Sequence, residues 1–160
     1  MKKKVLFISS TGGHLDELLQ LKKMFDDYDY HLITERTKSN MSLKEKFPGR
    51  VNYLVYGTYT KLLNKITYPF KLMYNTLKSF VLYLMIRPKY IVSTGAHTAG
   101  PMCLIGHLLG SKIIYIETFA NSNSKSKTGS IVYKFADLFI VQWESMLELY
   151  PNAVYGGWIY

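Results

Sequence analysis

The chain has 160 residues, of which 48% are hydrophobic and 19% charged. This balance is typical of a folded globular protein rather than a disordered segment, and the length predicts one domain over residues 1–160. Twenty basic against eleven acidic residues give a formal net charge of +9 at pH 7, which favours anionic partners such as phosphates or acidic lipid. Only three residues are arginine and no nucleic-acid-binding motif is present, so we do not expect nucleic acid as a partner.

The single cysteine, Cys103, excludes a disulfide framework and offers no pair of thiolate metal ligands. We therefore expect a reducing compartment, no metal and no cofactor. The apolar run that follows Lys2–Lys4 is too short for the hydrophobic region of a signal peptide. The sequence thus predicts a protein that stays in the cytosol.

The first informative stretch joins a buried strand to a helix through two adjacent glycines. The continuous apolar run Val5–Ile8 predicts a parallel strand, and a helix is expected to begin near His14. Between them, glycines leave room for peptide N–H groups to approach a ligand at the positive end of the helix. This corner suits a diphosphate, held by Thr11, Gly12, Gly13 and His14. The spacing matches neither the dinucleotide fingerprint nor the P-loop, so the alternative is that the glycines only allow a tight connection.

Further strands alternate with helical stretches along the chain. Strands are predicted at 30–34, 51–56, 89–93, 112–116 and 138–141, with a polar loop over 35–50 and helices over 102–109, 130–137 and 143–150. This alternation predicts an α/β fold with a parallel sheet.

A second informative stretch, residues 58–87, has apolar side chains at helical spacing, with a break or kink expected before Pro69. Its longest unbroken apolar run, 80–86, is too short to cross a membrane. The apolar face, the lysines and the tyrosines are typical of a helix that lies in a lipid headgroup layer or against a partner. The alternative is a helix that merely covers the sheet. Residues expected to contact membrane or partner are Leu62, Lys65, Ile66, Lys71 and Lys78.

Polar residues also follow the predicted strands at 89–93 and 112–116. Because ligands bind at the carboxyl ends of parallel strands, we expect Ser93, Thr94, Gly95, His97 and Glu117 to share one site with the first glycine turn. For His97, a solvent-facing turn residue is the alternative. The basic stretch 121–129 predicts a flexible loop that either caps this site or serves only as a linker.

Several segments together resemble the family that comprises the membrane-anchor subunit of the eukaryotic dolichol-linked GlcNAc transferase and its bacterial relatives. Those relatives are PssD-like polysaccharide biosynthesis proteins, including enhancers of a capsular β-1,4-galactosyltransferase. The resemblance covers essentially the whole chain and rests on Thr11–His14, Ser93–Gly95, Ile116–Glu117, Ala136–Trp143, Tyr150–Pro151 and Tyr155–Gly157.

The resemblance implies a Rossmann-like sheet with helices on both faces, equivalent to the amino-terminal, acceptor-side half of a GT-B glycosyltransferase. A separate catalytic subunit would carry the nucleotide-sugar site, and this chain would bind a polyprenyl-diphosphate-linked acceptor. The eukaryotic members have an added amino-terminal transmembrane helix that this sequence lacks, so peripheral attachment to an anionic membrane surface at its cytoplasmic face is expected.

Within that family, the glycine turn would hold the diphosphate either of the lipid-linked acceptor or of the nucleotide sugar. His14 would be a general base or a phosphate contact. The alternative for His14 is a simple helix cap. Glu117 would position a sugar hydroxyl or act as the base. Trp143 and Trp158 would pack or line the partner interface.

Two functions of different class remain open on the sequence alone. The chain is either a subunit without activity of its own or a self-sufficient small glycosyltransferase or hydrolase that uses His14 and Glu117. A third possibility is a flavodoxin-like module that binds a free nucleotide or flavin.

Overall fold

The computed structural model describes the backbone of residues 2–57 and 62–160 and the side chains of 2–57 and 67–160. Its described strands form one seven-stranded parallel sheet in the order β3-β2-β1-β4-β5-β6-β7. The strands are β1 Lys4–Ser9, β2 Asp29–Glu35, β3 Val51–Leu54, β4 Tyr90–Gly95, β5 Lys112–Ile116, β6 Leu138–Val141 and β7 Val154–Tyr155. The parallel sheet predicted from the sequence is confirmed.

The strand order reverses between β1 and β4. From β1 the chain builds outward through β2 to β3, then returns to place β4 on the other side of β1. Connections on either side of such a reversal leave a crevice at the carboxyl ends of the two strands, which is where ligands bind in open α/β sheets. The fold therefore brings the turns after β1 and β4 together.

Five α-helices connect the described strands: α1 Gly13–Gln20, α2 Leu43–Lys46, α3 Leu62–Ile86, α4 Ala99–Leu108 and α5 Lys127–Val132. Short 3₁₀ segments cover Leu21–Asp27, Lys38–Asn40 and Glu144–Leu147. In the described part of the chain, no helix combines the length and apolarity that a membrane crossing requires.

Alternate residues of β1 serve two hydrophobic cores, one on each face of the sheet. Leu6 and Ile8 pack in the core that α3, α4 and α5 cover, whereas Val5 and Phe7 pack in the core beneath α1. All four side chains are at most 3% exposed. A strand buried on both faces explains why this stretch is continuously apolar rather than alternating.

Two segments before β4 differ from the sequence predictions. The stretch 35–50 is not only a loop, because it holds a 3₁₀ turn and α2. Helix α3 continues through Pro69 instead of breaking there. A proline removes one helix hydrogen bond, but the packing of Leu82 and Ile86 in the core stabilises the helix regardless.

The remaining differences lie near the carboxyl end. Helix α5 begins at Lys127, within the predicted loop, because the Ser126 side chain caps it by accepting a hydrogen bond from the Gly129 N–H. The predicted helix over 143–150 is a shorter 3₁₀ segment. The sequence also missed β7, whose two residues are both exposed and give no strand pattern.

Candidate functional site

The turn after β1 leads directly into α1. Gly12 has a φ of 82°, a left-handed conformation that disfavours any side chain. Gly13 has no such constraint, and a Cβ added there would meet nothing within 4 Å. The backbone at Gly13 is therefore open to a ligand at the amino-terminal end of α1, where unpaired N–H groups favour anions.

Two hydrogen bonds fix His14 against the turn after β4. Its Nδ1 lies 2.9 Å from the Thr94 carbonyl oxygen, and the Thr94 hydroxyl donates to the His14 carbonyl oxygen over 2.7 Å. Since a carbonyl oxygen only accepts, Nδ1 carries the proton and Nε2 keeps a lone pair. The side chain is 27% exposed, so this nitrogen is available as a hydrogen-bond acceptor or base.

The turn after β4 is bonded to the turn after β1. The Gly95 carbonyl oxygen accepts from the Ser10 N–H at 2.8 Å, and the Ala96 N–H donates to the Ser10 hydroxyl at 3.2 Å. Gly95 has a φ of 93°, and a Cβ there would lie 2.8 Å from the Tyr115 hydroxyl and 3.5 Å from the His14 ring. The two glycine turns thus form one structural unit, as the sequence predicted.

A carboxylate that sequence reasoning missed lies beneath these turns. Glu35, at the end of β2, is 1% exposed and accepts from the Thr11 N–H at 3.3 Å, the Gly57 N–H at 3.4 Å and the Thr98 hydroxyl at 2.5 Å. His97 Nε2 lies 3.7 Å from the same carboxylate and donates to the Gly57 carbonyl oxygen over 2.8 Å. Glu35 therefore holds three turns in place, including the one that carries Thr11.

The structure revises the predicted role of Ser93 and Thr94. Both are completely buried. The Ser93 hydroxyl accepts from the Gly95 N–H at 3.1 Å, while Thr94 holds His14. Because neither side chain faces the crevice, they shape the turn and do not contact a ligand directly.

Glu117 is also placed differently from the prediction. It is 1% exposed, and its carboxylate accepts hydrogen bonds from the Thr118 N–H at 3.2 Å and from the hydroxyls of Ser126 and Tyr150 at 3.0 Å each. A general base must reach the proton that it removes. This geometry instead makes Glu117 the anchor of the 121–129 loop, which corrects the catalytic or sugar-positioning role.

An open cavity of about 400 Å³ lies between the turn after β4 and the start of α5. The exposed Lys127 contributes an ammonium group to this cavity, and the partly exposed His97 contributes an imidazole. The basic composition of 121–129 was the available signal for Lys127. The residues that line this cavity are Tyr68, Ala96, His97, Ser126, Lys127 and Thr128.

An aromatic cluster lies after the carboxyl ends of β5 and β6. The ring of Phe119 lies 4.6 Å from that of Trp143 and 5.6 Å from that of Trp158, and the Trp143 indole donates to the Phe119 carbonyl oxygen over 2.7 Å. Trp158 is 76% exposed. This arrangement is consistent with the predicted interface role for the two tryptophans, which stays a prediction.

Helix α3 exposes a broad apolar face. The side chains of Leu62, Lys65 and Ile66 lie outside those that the structure describes, whereas Lys71 and Lys78 are half-buried beside the face. A groove of about 610 Å³ next to it is lined in part by Arg36, Lys44 and Lys78. The exposed apolar residues are Phe70, Met73, Tyr74, Leu77, Phe80, Val81, Leu84 and Met85.

Within the described residues, no group of three or more His, Cys, Asp or Glu side chains is placed to hold a metal ion. The crevice and the cavity beside it offer backbone N–H groups, two imidazoles and a lysine.

The fold is similar to that of MurG and of a UDP-GlcNAc 2-epimerase. MurG of Acinetobacter baumannii superposes with a TM-score of 0.71 at 19% identity, over 89% of this chain and 42% of that one. The UDP-GlcNAc 2-epimerase of Methanocaldococcus jannaschii gives 0.69 at 13% identity, over 91% and 42%. The chain thus spans about two fifths of each and has the Rossmann-like fold of the amino-terminal half of GT-B enzymes such as MurG, as predicted.

Sequence relatives extend over nearly the whole chain. The UDP-N-acetylglucosamine transferase subunit ALG14 of Mus musculus is 25% identical over 96% of this chain and 82% of its own length. The subunit of the same name from Schizosaccharomyces pombe is 28% identical, over 98% and 83%. Residues 63–159 match the family model described as "Oligosaccharide biosynthesis protein Alg14 like", and the chain therefore belongs to the Alg14-like family of oligosaccharide biosynthesis proteins.

Proposed function

We propose that this chain is one subunit, without activity of its own, of a two-chain glycosyltransferase that extends a lipid-linked acceptor. One observation carries the proposal. The chain matches proteins named as transferase subunits over 96% of its length, yet spans only 42% of MurG. It thus supplies one wall of a cleft, and sugar transfer needs both substrates held together. The missing wall, with the nucleotide-sugar site, belongs to a separate catalytic chain.

The crevice between β1 and β4 is the proposed site of the acceptor diphosphate. Gly13 leaves the amino-terminal end of α1 open, and Lys127 and His97 face the adjoining cavity of about 400 Å³. A diphosphate is stabilised both by helix N–H groups and by cations. In this proposal, the Nε2 lone pair of His14 accepts a hydrogen bond from the acceptor.

The apolar face of α3 is the proposed membrane contact. Its exposed side chains include Phe70, Leu77 and Met85 at 66%, 62% and 73% exposure, and the neighbouring groove is basic. An apolar face flanked by cations binds the headgroup layer of an anionic membrane reversibly, with each basic residue contributing about 1 kcal/mol. The subunit then brings its catalytic partner to the cytoplasmic face of the membrane, where the acceptor lies.

The proposal also includes the class of the donor and of the final polymer. We propose a UDP-sugar donor, because the curated relatives are named as subunits of a UDP-N-acetylglucosamine transferase. The resemblance to PssD-like proteins points to a capsular or exopolysaccharide as the final polymer.

Reconstitution tests the subunit function. The chain is purified with and without the product of a neighbouring reading frame that has a GT-B carboxyl-half pattern, then supplied with a labelled UDP-sugar and a polyprenyl-diphosphate-linked acceptor. We expect transfer only when both chains are present. Robust transfer by this chain alone would support the self-sufficient enzyme instead, and tight binding of a free nucleotide or flavin in calorimetry would support the flavodoxin-like module.

Vesicle sedimentation tests the membrane contact. Lys71→Glu combined with Lys78→Glu should weaken binding to vesicles containing phosphatidylglycerol by about thirtyfold or more, since each reversal removes an attractive charge and adds a repulsive one. The matched control is Lys22→Glu with Lys23→Glu, which changes the net charge equally in the 3₁₀ segment that packs with the other core. Equal effects from the two pairs would contradict the assignment of the α3 face.

A further inference from the structure

We infer that Glu17 is a positioning residue for His14, so that the two side chains act as one unit in which the carboxylate supports the imidazole as the base. This inference rests on the proposed function, because it assigns the base of the shared cleft. Glu17 lies one helical turn after His14 in α1, and the i, i+3 spacing puts both side chains on one face of the helix.

The geometry divides the two oxygens of the Glu17 carboxylate between two tasks. Oε1 accepts hydrogen bonds from the Thr118 hydroxyl at 2.8 Å and the Phe119 N–H at 2.9 Å, which fixes the side chain against the turn after β5. Oε2 is buried and makes no hydrogen bond to any described residue. It lies 3.8 Å from His14 Nδ1. A buried carboxylate oxygen without a donor is costly, and a positive charge on the imidazole beside it offsets that cost.

The imidazole is already oriented for this task. Its Nδ1–H donates to the Thr94 carbonyl oxygen, so Nε2 is the nitrogen that can take a proton. These contacts form a series. The turn after β5 holds Glu17, the Glu17 carboxylate lies beside Nδ1 of His14, and Nε2 is the ring nitrogen farther from that carboxylate. A carboxylate behind an imidazole holds the ring orientation and stabilises the cation that forms during proton transfer.

The chemical step balances with these groups. His14 Nε2 takes the proton of the acceptor hydroxyl while that oxygen forms a bond to the anomeric carbon of the donor sugar. The bond from this carbon to the nucleoside diphosphate breaks, and its electron pair leaves on the phosphate oxygen. The ring then carries a positive charge, which the Glu17 carboxylate at 3.8 Å opposes in a poorly solvated environment.

The other titratable group beside Glu17 does not add a second negative charge next to the imidazole. Burial, together with the charge of Glu17, raises the pKa of the Tyr160 hydroxyl above its ordinary value, so that phenol stays neutral. Asp16, the adjacent acidic residue, is exposed to solvent. Glu17 is thus the carboxylate whose charge the imidazole experiences most strongly.

The decisive substitution in the reconstituted complex is Glu17→Gln. The amide oxygen can still accept from Thr118 and Phe119, so the variant removes the charge and keeps the tether. We expect kcat to fall by roughly tenfold or more while KM for the lipid acceptor changes by less than about twofold, as for a group that acts in proton transfer. The matched control Asp16→Asn removes the charge of the neighbouring exposed carboxylate, and it should retain kcat within about twofold.

A double-mutant cycle shows whether Glu17 acts through His14. In a His14→Ala background, adding Glu17→Gln should cause no further loss, because the base that it supports is gone. Independent losses that multiply would overturn the inference, and so would a Glu17→Gln variant with the wild-type kcat. Thermal unfolding of each variant confirms that the fold is retained.

A measurement on this chain alone keeps the inference testable if the complex transfers no sugar. Long-range ¹H–¹⁵N spectra of histidine-labelled protein, assigned with His14→Ala, should show the Nδ1–H tautomer for His14. The Nε2–H tautomer would contradict the inference. An inactive wild-type complex would contradict the proposed function alone, whereas an active complex that is indifferent to Glu17→Gln would contradict only the role of Glu17.

Discussion

Two corners of the sheet look alike in the sequence and differ in the structure. His14 follows β1 and Glu117 follows β5, and both are titratable groups at carboxyl ends of parallel strands. The Glu117 carboxylate accepts hydrogen bonds from three donors and is 1% exposed, whereas His14 keeps one ring nitrogen without a role in the fold. A polar residue at the end of a strand is therefore available for chemistry only when the fold does not already use its donors and acceptors.

Glycines in the two corners show the same contrast. A Cβ at Gly13 would enter open space, while a Cβ at Gly129 would lie 2.1 Å from Glu117 Oε2. The first glycine leaves room for a ligand, and the second leaves room for a carboxylate of the protein itself. Variants at these glycines and at Glu117 therefore test which corner binds a ligand and which corner stabilises the fold.

The largest effect is expected from Gly129→Ala. The added methyl group would overlap Glu117 Oε2 and lie 2.6 Å from the Ser126 hydroxyl, so the anchor of the 121–129 loop must shift. Overpacking at a buried polar contact should lower the free energy of unfolding by about 3 kcal/mol, measured in urea. Gly13→Ala is the matched control, with an expected change below about 0.5 kcal/mol. Similar losses from both would remove the distinction between the corners.

Glu117→Gln should have the next largest effect. The amide nitrogen replaces an acceptor with a donor and leaves one of the three hydrogen bonds unmade, at a cost of about 2 kcal/mol in unfolding free energy. Transfer by the folded complex should stay within about twofold of wild type, and Glu45→Gln on the exposed side of α2 should change neither quantity. A large loss of transfer without a loss of stability would restore a catalytic role for Glu117.

Gly13→Val should have the opposite signature. The branched side chain occupies the space where we place the diphosphate, so partner-dependent transfer should fall by roughly tenfold or more. The unfolding free energy should change by less than about 1 kcal/mol, because no protein atom lies within 4 Å of the new Cβ. Wild-type transfer rates in this variant would contradict the phosphate corner.

The last prediction concerns alkaline pH, where the two tyrosines beside Glu117 should make the unfolding free energy decline. Burial, reinforced by the charge of Glu117, raises the pKa of Tyr150 and of Tyr115 above the ordinary value of 10.0. The folded state therefore holds these protons when the unfolded chain releases them, so stability is intact below pH 10 and declines above it. The limiting slope is about 1.4 kcal/mol per pH unit for each such tyrosine.

Urea unfolding measured from about pH 9 to about pH 11 follows this decline. Tyr150→Phe should lower the unfolding free energy at pH 9 and make its decline with pH shallower, because one of the retained protons is gone. Tyr155→Phe, on the exposed β7, should leave this pH dependence unchanged. Equal slopes for wild type and Tyr150→Phe would show that Tyr150 is not held neutral by the fold.

Short-range patterns were sufficient to predict much of the architecture. The apolar run Val5–Ile8, the alternation of strands and helices, and the glycine turn before His14 predicted a parallel α/β sheet with a corner at β1. The pairing of the β1 and β4 turns also followed from the sequence, since carboxyl ends of parallel strands share one edge of a sheet. The patterns from which these features were predicted each lie within a short stretch of the chain.

The partners of the polar residues followed only from the tertiary structure. Thr11 meets Glu35 across 24 positions, Glu117 meets Tyr150 across 33, and His14 meets Thr94 across 80. Whether a buried carboxylate is saturated depends on which donors the fold brings within about 3 Å, and periodicity carries no information about that. The sequence by itself determined where the polar groups lie on the sheet, and the packing of distant segments decided which of them hold the fold and which face a ligand.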